Sequence, residues 1–195
     1  NEMSLFMISA KPETEYEPGQ SLNSPIDYAN VQKFMPRLFD QFRLDSATIW
    51  IKRYTMRGKR DLAEKIGKKS YQWAENIRKE NPTQYTLPFA EFLLWYGQAI
   101  MYGYNIEEAL PIYNRTLDIL ESPYSNIHVE NLNKFDLWHY NLILGRTHNN
   151  LGYTYWMYLG QYSHAVQEFQ KAIRLFRIAE LDEELANSSD NLGRV

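Results

Sequence analysis

Apolar residues recur every three or four positions along most of the chain, and short breaks rich in glycine, asparagine or proline separate these runs. The clearest example covers residues 149–176. Leu151 and Tyr155 keep this spacing before a break at Gly160, after which Phe169 belongs to a second periodic run. Such spacing places the apolar side chains on one face of a helix. This stretch therefore predicts two antiparallel helices joined by a tight turn.

A four-residue sequence recurs near the end of the chain. Residues 149–152 read NNLG and residues 190–193 read DNLG, with a separation of 41 residues. Sequence repeats with a period of about 20 to 50 residues are typical of helical solenoids. The sequence thus predicts an all-α fold, a solenoid of helical hairpins from residue 25 to residue 195. The helix pairs are expected at about residues 46–81, 87–120 and 133–179, with a partial pair at 185–195.

Several segments depart from a regular array. Residues 1–24 are rich in proline, glycine and small or acidic residues, which favour an irregular leader or linker. An apolar stripe in residues 25–44 predicts a helix ahead of the first pair, interrupted at Pro36. Residues 121–131 form a looser insertion, and the first helix after them is expected to be long, from about residue 133 to 158. Because the last pair is cut short, we expect the chain to belong to a longer protein.

Small and aromatic residues occupy fixed places in the third pair. Gly152 and Tyr155 lie in its first helix, Gly160 in the turn, and Ala165 and Phe169 in its second helix. This arrangement resembles the tetratricopeptide repeat. Glycine and alanine let two helices approach closely, and the rings fill the space beside them. Parts of the pattern recur in the other pairs at Gly97, Ala109 and Tyr113 and, less closely, at Tyr54, Gly58 and Ala63.

The resemblance implies a right-handed superhelix whose first helices line a concave groove for a protein or peptide. The chain departs from the family pattern by one additional residue between Tyr155 and Gly160, and by alanines 63, 109 and 165 that lie 46 and 56 residues apart. These long, irregular units are similar to the helical sensor arms of bacterial STAND regulators, in which a nucleotide-binding switch precedes the array. The resemblance therefore predicts a scaffold or sensor module of a larger regulatory protein.

The same resemblance indicates which side chains would contact a partner, namely those on the free face of each first helix. Tyrosine, tryptophan and arginine are favoured interface anchors, and asparagine can pair with an extended peptide backbone. Each candidate has an alternative, which is packing against a neighbouring helix. Tyr153 occupies the position where carboxylate-clamping members have an asparagine, so that mode is not predicted. The candidate groove residues are Lys52, Met56, Leu94, Gln98, Met101, Arg146, Asn149, Tyr153 and Trp156.

Charge is distributed unevenly in an otherwise slightly acidic chain of net charge -3. Residues 52–69 carry eight lysines and arginines, interleaved with or flanked by Trp50, Tyr54 and Tyr71. Basic residues and rings together can hold phosphates and stack bases, so a nucleic-acid-associated regulator is one alternative function. However, Trp50 and Tyr54 also fall on the predicted core stripe. That placement would leave a basic surface that is solvated or docks an acidic partner.

Enzymatic chemistry is not predicted. The sequence GKKS at residues 67–70 lacks the glycine that a phosphate-binding loop needs five residues earlier, where Leu62 stands. The four histidines show no i, i+4 pair, and with no cysteine the sequence predicts neither a metal site nor a cofactor. The absence of cysteine and of a long apolar run favours a cytoplasmic protein. A small-molecule sensor that cages its ligand with Tyr153 and Trp156 is the remaining alternative.

Overall fold

The structure, a computed structural model, describes residues 36–121 and 127–195. Within these ranges the chain is all-α and contains no β-strand, as the periodicity predicts. A short 3-10 helix, Val129–Asn131, lies in the predicted insertion. The predicted leader at residues 1–24 and the helix expected before residue 36 lie outside the described residues. The α-helices are α1 (Pro36–Met56), α2 (Arg60–Glu80), α3 (Pro82–Tyr102), α4 (Ile106–Glu121), α5 (Lys134–Met157), α6 (Tyr162–Ile178) and α7 (Asp182–Arg194).

The first described helix differs from the sequence-based expectation. The sequence predicted a boundary between a helix ending at residue 44 and a pair starting at residue 46. Instead, α1 continues through these positions, because Leu44, Ala47 and Ile51 form one buried stripe across them. Pro36 stands at the first position of this helix, where the missing N–H has no intrahelical partner to lose.

Helix α3 lies at the centre of the packing. It starts at Pro82, earlier than the position near residue 87 that the sequence suggested, and continues through Pro88. It contacts α1, α2, α4 and α5. A helix in contact with four others is apolar over most of its surface. Its buried side chains include Tyr85, Phe89, Phe92, Leu93, Leu94, Tyr96, Ile100 and Met101.

Tight turns join α1 to α2, α3 to α4 and α6 to α7, and they share one backbone conformation. Gly58, Tyr104 and Glu180 adopt positive φ angles of 72°, 66° and 55°. The next residue in each turn donates its N–H to the carbonyl five residues earlier, which closes the helix end. The turn between α5 and α6 is longer by one residue, since the N–H of Gln161 reaches the carbonyl of Tyr155, six residues earlier. This turn accommodates the additional residue noticed in the sequence.

Glycines at helix contacts let aromatic rings lie against the backbone. An added Cβ at Gly152 would lie 2.8 Å from the ring of Phe169, which confirms the packing role expected for this glycine. In the same way, Gly67 lies against the ring of Tyr96, Gly97 against that of Tyr113 and Gly145 against that of Phe176. A larger residue at any of these four glycines would force the helices apart.

The helices contact one another in a regular order. Helix α1 contacts α3, α3 contacts α5, and α5 contacts α7, so these four helices form one continuous row. Helices α2, α4 and α6 each pack against the two row helices that precede and follow them in the chain. None of the described helices is both long enough and apolar enough to cross a bilayer.

Candidate ligand-binding groove

An open cavity of about 440 Å³ lies along the row of helices α1, α3, α5 and α7. We call it the groove. Each helix of the row contributes to its walls, so its shape depends on how the helices pack together rather than on one loop. The lining residues are Thr55, Met56, Trp95, Gln98, Tyr102, Arg146, Asn149, Asn150 and Glu184.

Trp95 positions two cations at the groove. Its side chain is only 6% exposed. The Nζ atom of Lys52 on α1 lies 5.0 Å from the centroid of the indole ring, and the Cζ atom of Arg146 on α5 lies 5.6 Å from it. Each cation–π contact is worth about 0.5 to 2 kcal/mol, depending on desolvation. Trp95 therefore holds side chains from two different helices over one ring.

Arg146 also connects the groove to the last helix. It donates from Nε, at 3.0 Å, and from Nη2 to the same carboxylate oxygen of Glu184 on α7. Both side chains are largely buried, with 30% and 23% of their surface exposed. The pair offsets much of the positive charge that Arg146 brings to the groove.

Two amide side chains leave hydrogen-bonding groups available in the groove. The Oδ1 atom of Asn149 accepts from Ser188 Oγ (2.8 Å) and from Asn191 Nδ2 (3.3 Å) on α7. The Nε2 atom of Gln98 donates to the hydroxyl of Tyr102 (3.0 Å). The remaining groups, Asn149 Nδ2 and Gln98 Oε1, make no hydrogen bond among the described residues. The groove thus offers a donor from α5 and an acceptor from α3.

Two of the predicted groove residues on α3 lie elsewhere. Leu94 and Met101 are each only 1% exposed and belong to the core. The sulfur of Met101 accepts from the hydroxyls of Tyr113 (3.7 Å) and Thr154 (3.3 Å). The groove face of α3 is shifted by one residue from the predicted positions, so that Trp95 and Tyr102 stand where Leu94 and Met101 were expected.

The remaining predicted residues divide between the groove and its neighbourhood. Met56, Gln98, Arg146 and Asn149 line the groove, and Lys52 lies over the ring of Trp95, which also lines it. Tyr153 and Trp156 are half-buried but are not among the lining residues. Their ring centroids lie 6.0 Å apart, near the end of α5.

A partly buried acid–histidine contact lies beside Lys52. The Nε2 atom of His139 on α5 is 3.1 Å from the Oε2 atom of Glu91 on α3. Burial raises the pKa of Glu91, but the hydrogen bond with His139 and the charges of His139 and Lys52 outweigh it and lower this pKa below its usual value. Glu91 therefore carries its negative charge at neutral pH, next to the cations on Trp95.

A second histidine, His148, lies away from the groove where α4, α5 and α6 meet. Its side chain is 1% exposed, and its Nδ1 atom is 2.5 Å from Glu168 Oε2 on α6. Its Nε2 atom is 3.4 Å from Glu121 Oε1 on α4. Carboxylates at both ring nitrogens favour the protonated imidazolium. Among the described residues, no group of three or more histidine, aspartate or glutamate side chains is arranged to hold a metal ion.

Comparisons with known proteins were made at three levels. No protein-family model, no curated protein and no solved structure matches the chain significantly. The sequence pattern and the groove are therefore the features of the chain that indicate its function.

Proposed function

We propose that the chain is a helical-hairpin solenoid of the tetratricopeptide type that binds a protein or peptide in the groove. The row formed by α1, α3, α5 and α7 supports this arrangement, since the first helices of such hairpins stack in sequence order. The glycine turns and the glycine–ring contacts support it as well. On this proposal the chain acts as a recognition module of a larger regulatory protein.

The observation that carries the proposal is the pair of available amide groups. Asn149 Nδ2 is a donor and Gln98 Oε1 is an acceptor, and both residues line the groove. An extended peptide exposes both C=O and N–H groups along its backbone, so it can satisfy both amides. Since Asn149 and Gln98 are already held by hydrogen bonds to Ser188 and Tyr102, little side-chain entropy would be lost on binding.

A small-molecule ligand is the second candidate. The volume of the groove, about 440 Å³, is within the usual range for small-molecule sites, which is about 300 to 1,000 Å³. However, Tyr153 and Trp156, which were expected to cage such a ligand, do not line the groove. The groove is also open and largely polar, with charged or amide side chains on three of its helices. We therefore favour an extended peptide.

The test is selection of binders from a random peptide library displayed on phage, followed by measurement of affinity. We expect Gln98→Ala and Asn149→Ala to weaken binding of the selected peptides by roughly 5- to 100-fold each, because each removes one hydrogen bond worth about 1 to 3 kcal/mol at a buried position. Gln167→Ala and Gln170→Ala, on the exposed side of α6, are matched controls and should leave affinity unchanged.

One further variant separates direct contact from an effect on α7. Ser188→Ala removes a hydrogen bond to Asn149 Oδ1 but leaves the Nδ2 donor in place. We expect it to retain most of the binding. Selected peptides that bind the Gln98→Ala/Asn149→Ala double variant as tightly as the unmodified chain would show that the groove is not the binding site.

A further inference from the structure

Positive charge is concentrated on the first two helices. Residues 50–79 carry ten lysines and arginines and three acidic residues, whereas the whole chain carries 21 and 24. The rest of the chain is therefore strongly acidic. This separation of charge creates a local positive field that the overall net charge of -3 conceals.

Many of these cations have no intramolecular partner. Arg57, Lys59, Lys65, Lys68 and Lys69 are exposed, and none of them forms an ion pair among the described residues. The other five are engaged. Lys52 lies over Trp95 and Arg53 over Trp50, Arg60 donates to the carbonyl of Tyr102 (2.7 Å), and Arg78 and Lys79 pair with Glu75. A surface with this many unpaired cations has a long-range attraction for polyanions.

Aromatic rings lie among these basic residues on α1. Trp50 and Tyr54 stack with ring centroids 5.4 Å apart and an interplanar angle of 29°. The guanidinium carbon of Arg53 lies 5.3 Å from the centroid of the Trp50 ring. Both rings are partly exposed, so the expectation that they belong to the core stripe is wrong for Trp50 and only partly right for Tyr54, which packs against the core edge. Among residues 40–56 of α1, the buried positions are instead Leu44, Ala47, Thr48, Ile51 and Thr55.

Helix geometry brings rings and cations to one side of the α1–α2 pair. Residues four positions apart lie on the same face of a helix. Trp50 and Tyr54 therefore share a face of α1, as do Arg53 and Arg57, and Lys65 and Lys69 share a face of α2. The Cζ atom of Arg43 on α1 lies 4.0 Å from the centroid of the Trp73 ring on α2. This contact shows on which side the two helices meet. Lys69 lies one turn before Trp73 on that side. We call this surface the basic face and define it by Trp50, Arg53, Tyr54, Arg57, Lys65 and Lys69.

We propose that the basic face binds single-stranded nucleic acid, with phosphates on its lysines and arginines and a base stacked on the Trp50–Tyr54 rings. Cations that follow a backbone and rings that accept unstacked bases are the two elements of such sites. A duplex could bind the cations through its phosphates, but its bases are already stacked on one another and so could not stack on the rings. This site is separate from the groove and does not depend on the function proposed for the groove.

The first test measures binding of a fluorescein-labelled 12-nucleotide thymidine strand to the 195-residue chain by fluorescence anisotropy at several salt concentrations. Lys65→Glu/Lys69→Glu should weaken binding at least about 10-fold and reduce the salt dependence, since two phosphate contacts are lost. Arg174→Glu/Arg177→Glu changes the net charge equally on the exposed side of α6. This control should change affinity less than about two-fold, because it leaves the basic face intact.

The second test separates stacking from charge. Trp50→Ala should weaken binding by roughly 5- to 100-fold while leaving the salt dependence unchanged, because stacking is worth about 1 to 3 kcal/mol per base and releases no counterions. A thermal melt of each variant checks that it is folded. Absence of binding at low salt would overturn the proposal, and so would equal losses in the two charge-reversed variants. Tight binding of phosphatidylserine vesicles or polyglutamate, with no effect of Trp50→Ala on the oligonucleotide, would also overturn it and indicate a general anion-docking surface.

Discussion

Gly67 illustrates how one missing side chain sets the distance between two helices. A Cβ added there would lie 2.0 Å from Cδ2 of Tyr96 on α3. Residues 67–69 belong to the basic stretch for which the sequence predicted a solvated or docking surface. Lys68 and Lys69 are indeed exposed, but Gly67 and Ser70 are buried at the α2 contact with its neighbours. The glycine is therefore required for packing and is unrelated to phosphate binding.

The variant Gly67→Ala tests this packing role. We expect it to lower the free energy of unfolding by about 1 to 3 kcal/mol through overpacking, even though alanine is intrinsically the better helix former by about 1 kcal/mol. Gly193→Ala is the matched control, since nothing lies within 4 Å of a Cβ added there. It should leave stability unchanged or raise it in urea unfolding. A Gly67→Ala variant as stable as the unmodified chain would contradict the close contact with Tyr96.

His148 makes the junction of α4, α5 and α6 sensitive to pH. Burial lowers the pKa of His148, but the hydrogen bonds and charges of Glu121 and Glu168 outweigh it and raise this pKa above its usual 6.5. Burial likewise raises the pKa of Glu168, and its bonds to His148 and Lys171 outweigh it and lower this pKa below 4.5. Because both shifts report partly the same ion pair, they count as one contribution to stability.

The directions of these two pKa shifts define the pH range in which the ion pair stabilises the fold. The stabilisation from His148 is complete below pH 6.5 and is lost as pH rises through its raised folded pKa. The stabilisation from Glu168 is present above pH 4.5 and is lost as pH falls through its lowered folded pKa. We expect the stability difference between the unmodified chain and His148→Gln to be largest between these values and to shrink in alkaline solution. Urea unfolding at a series of pH values measures this stability difference, and His128→Gln, at an exposed histidine, is the control. A difference that does not vary with pH would mean that His148 is buried as the neutral imidazole.

At the level of single elements, helix starts with a side-chain cap were easiest to locate. The sequence placed the start of the long helix near residue 133, and α5 begins at Lys134. Asn133 accepts from the backbone N–H groups of Phe135 (3.0 Å) and Asp136 (2.9 Å), which would otherwise lack partners. The cap and the groups it satisfies are only two or three residues apart, so this helix start depends on local sequence alone.

Asn133→Ala should therefore lower the unfolding free energy by about 1 kcal/mol, the usual value of an N-cap. Asn131→Ala, two residues earlier and exposed, is a suitable control because no side-chain hydrogen bond joins Asn131 to another described residue. Equal stability of the two variants in thermal unfolding would show that the cap contributes nothing. Circular dichroism would also show whether the first turn of α5 is lost.

Amphipathic helices were predicted more accurately than the apolar central one. In α6, Ala165 and Phe169 were expected at the helix contact and are fully buried. In α3, residues 92–96 are all apolar, so the pattern contains no stripe from which to read the rotation of the helix. This is why Leu94 and Met101 were assigned to the groove.

At the level of the whole molecule, the groove combines residues that the sequence keeps far apart. Gln98, Arg146 and Asn149 could be assigned to one face because a helical repeat places equivalent positions together. Trp95 was missed because it stands in an apolar run, and Glu184 because acidic residues at a helix start are explained by the helix dipole. The contact of Arg146 with both depends on the tertiary arrangement of α3, α5 and α7, for which no local pattern exists.

The order of helix contacts also has a consequence for how the chain folds. Among the described helices, the extensive contacts join elements that are neighbours in sequence or one element apart. Chains dominated by such local contacts close only short loops on the way to the transition state, so they fold rapidly. Each hairpin can therefore fold as soon as it has been synthesised and then serve as the surface on which the next one assembles. In the described part of the chain, α7 packs mainly on α6, so it is expected to open more easily than the helices inside the row.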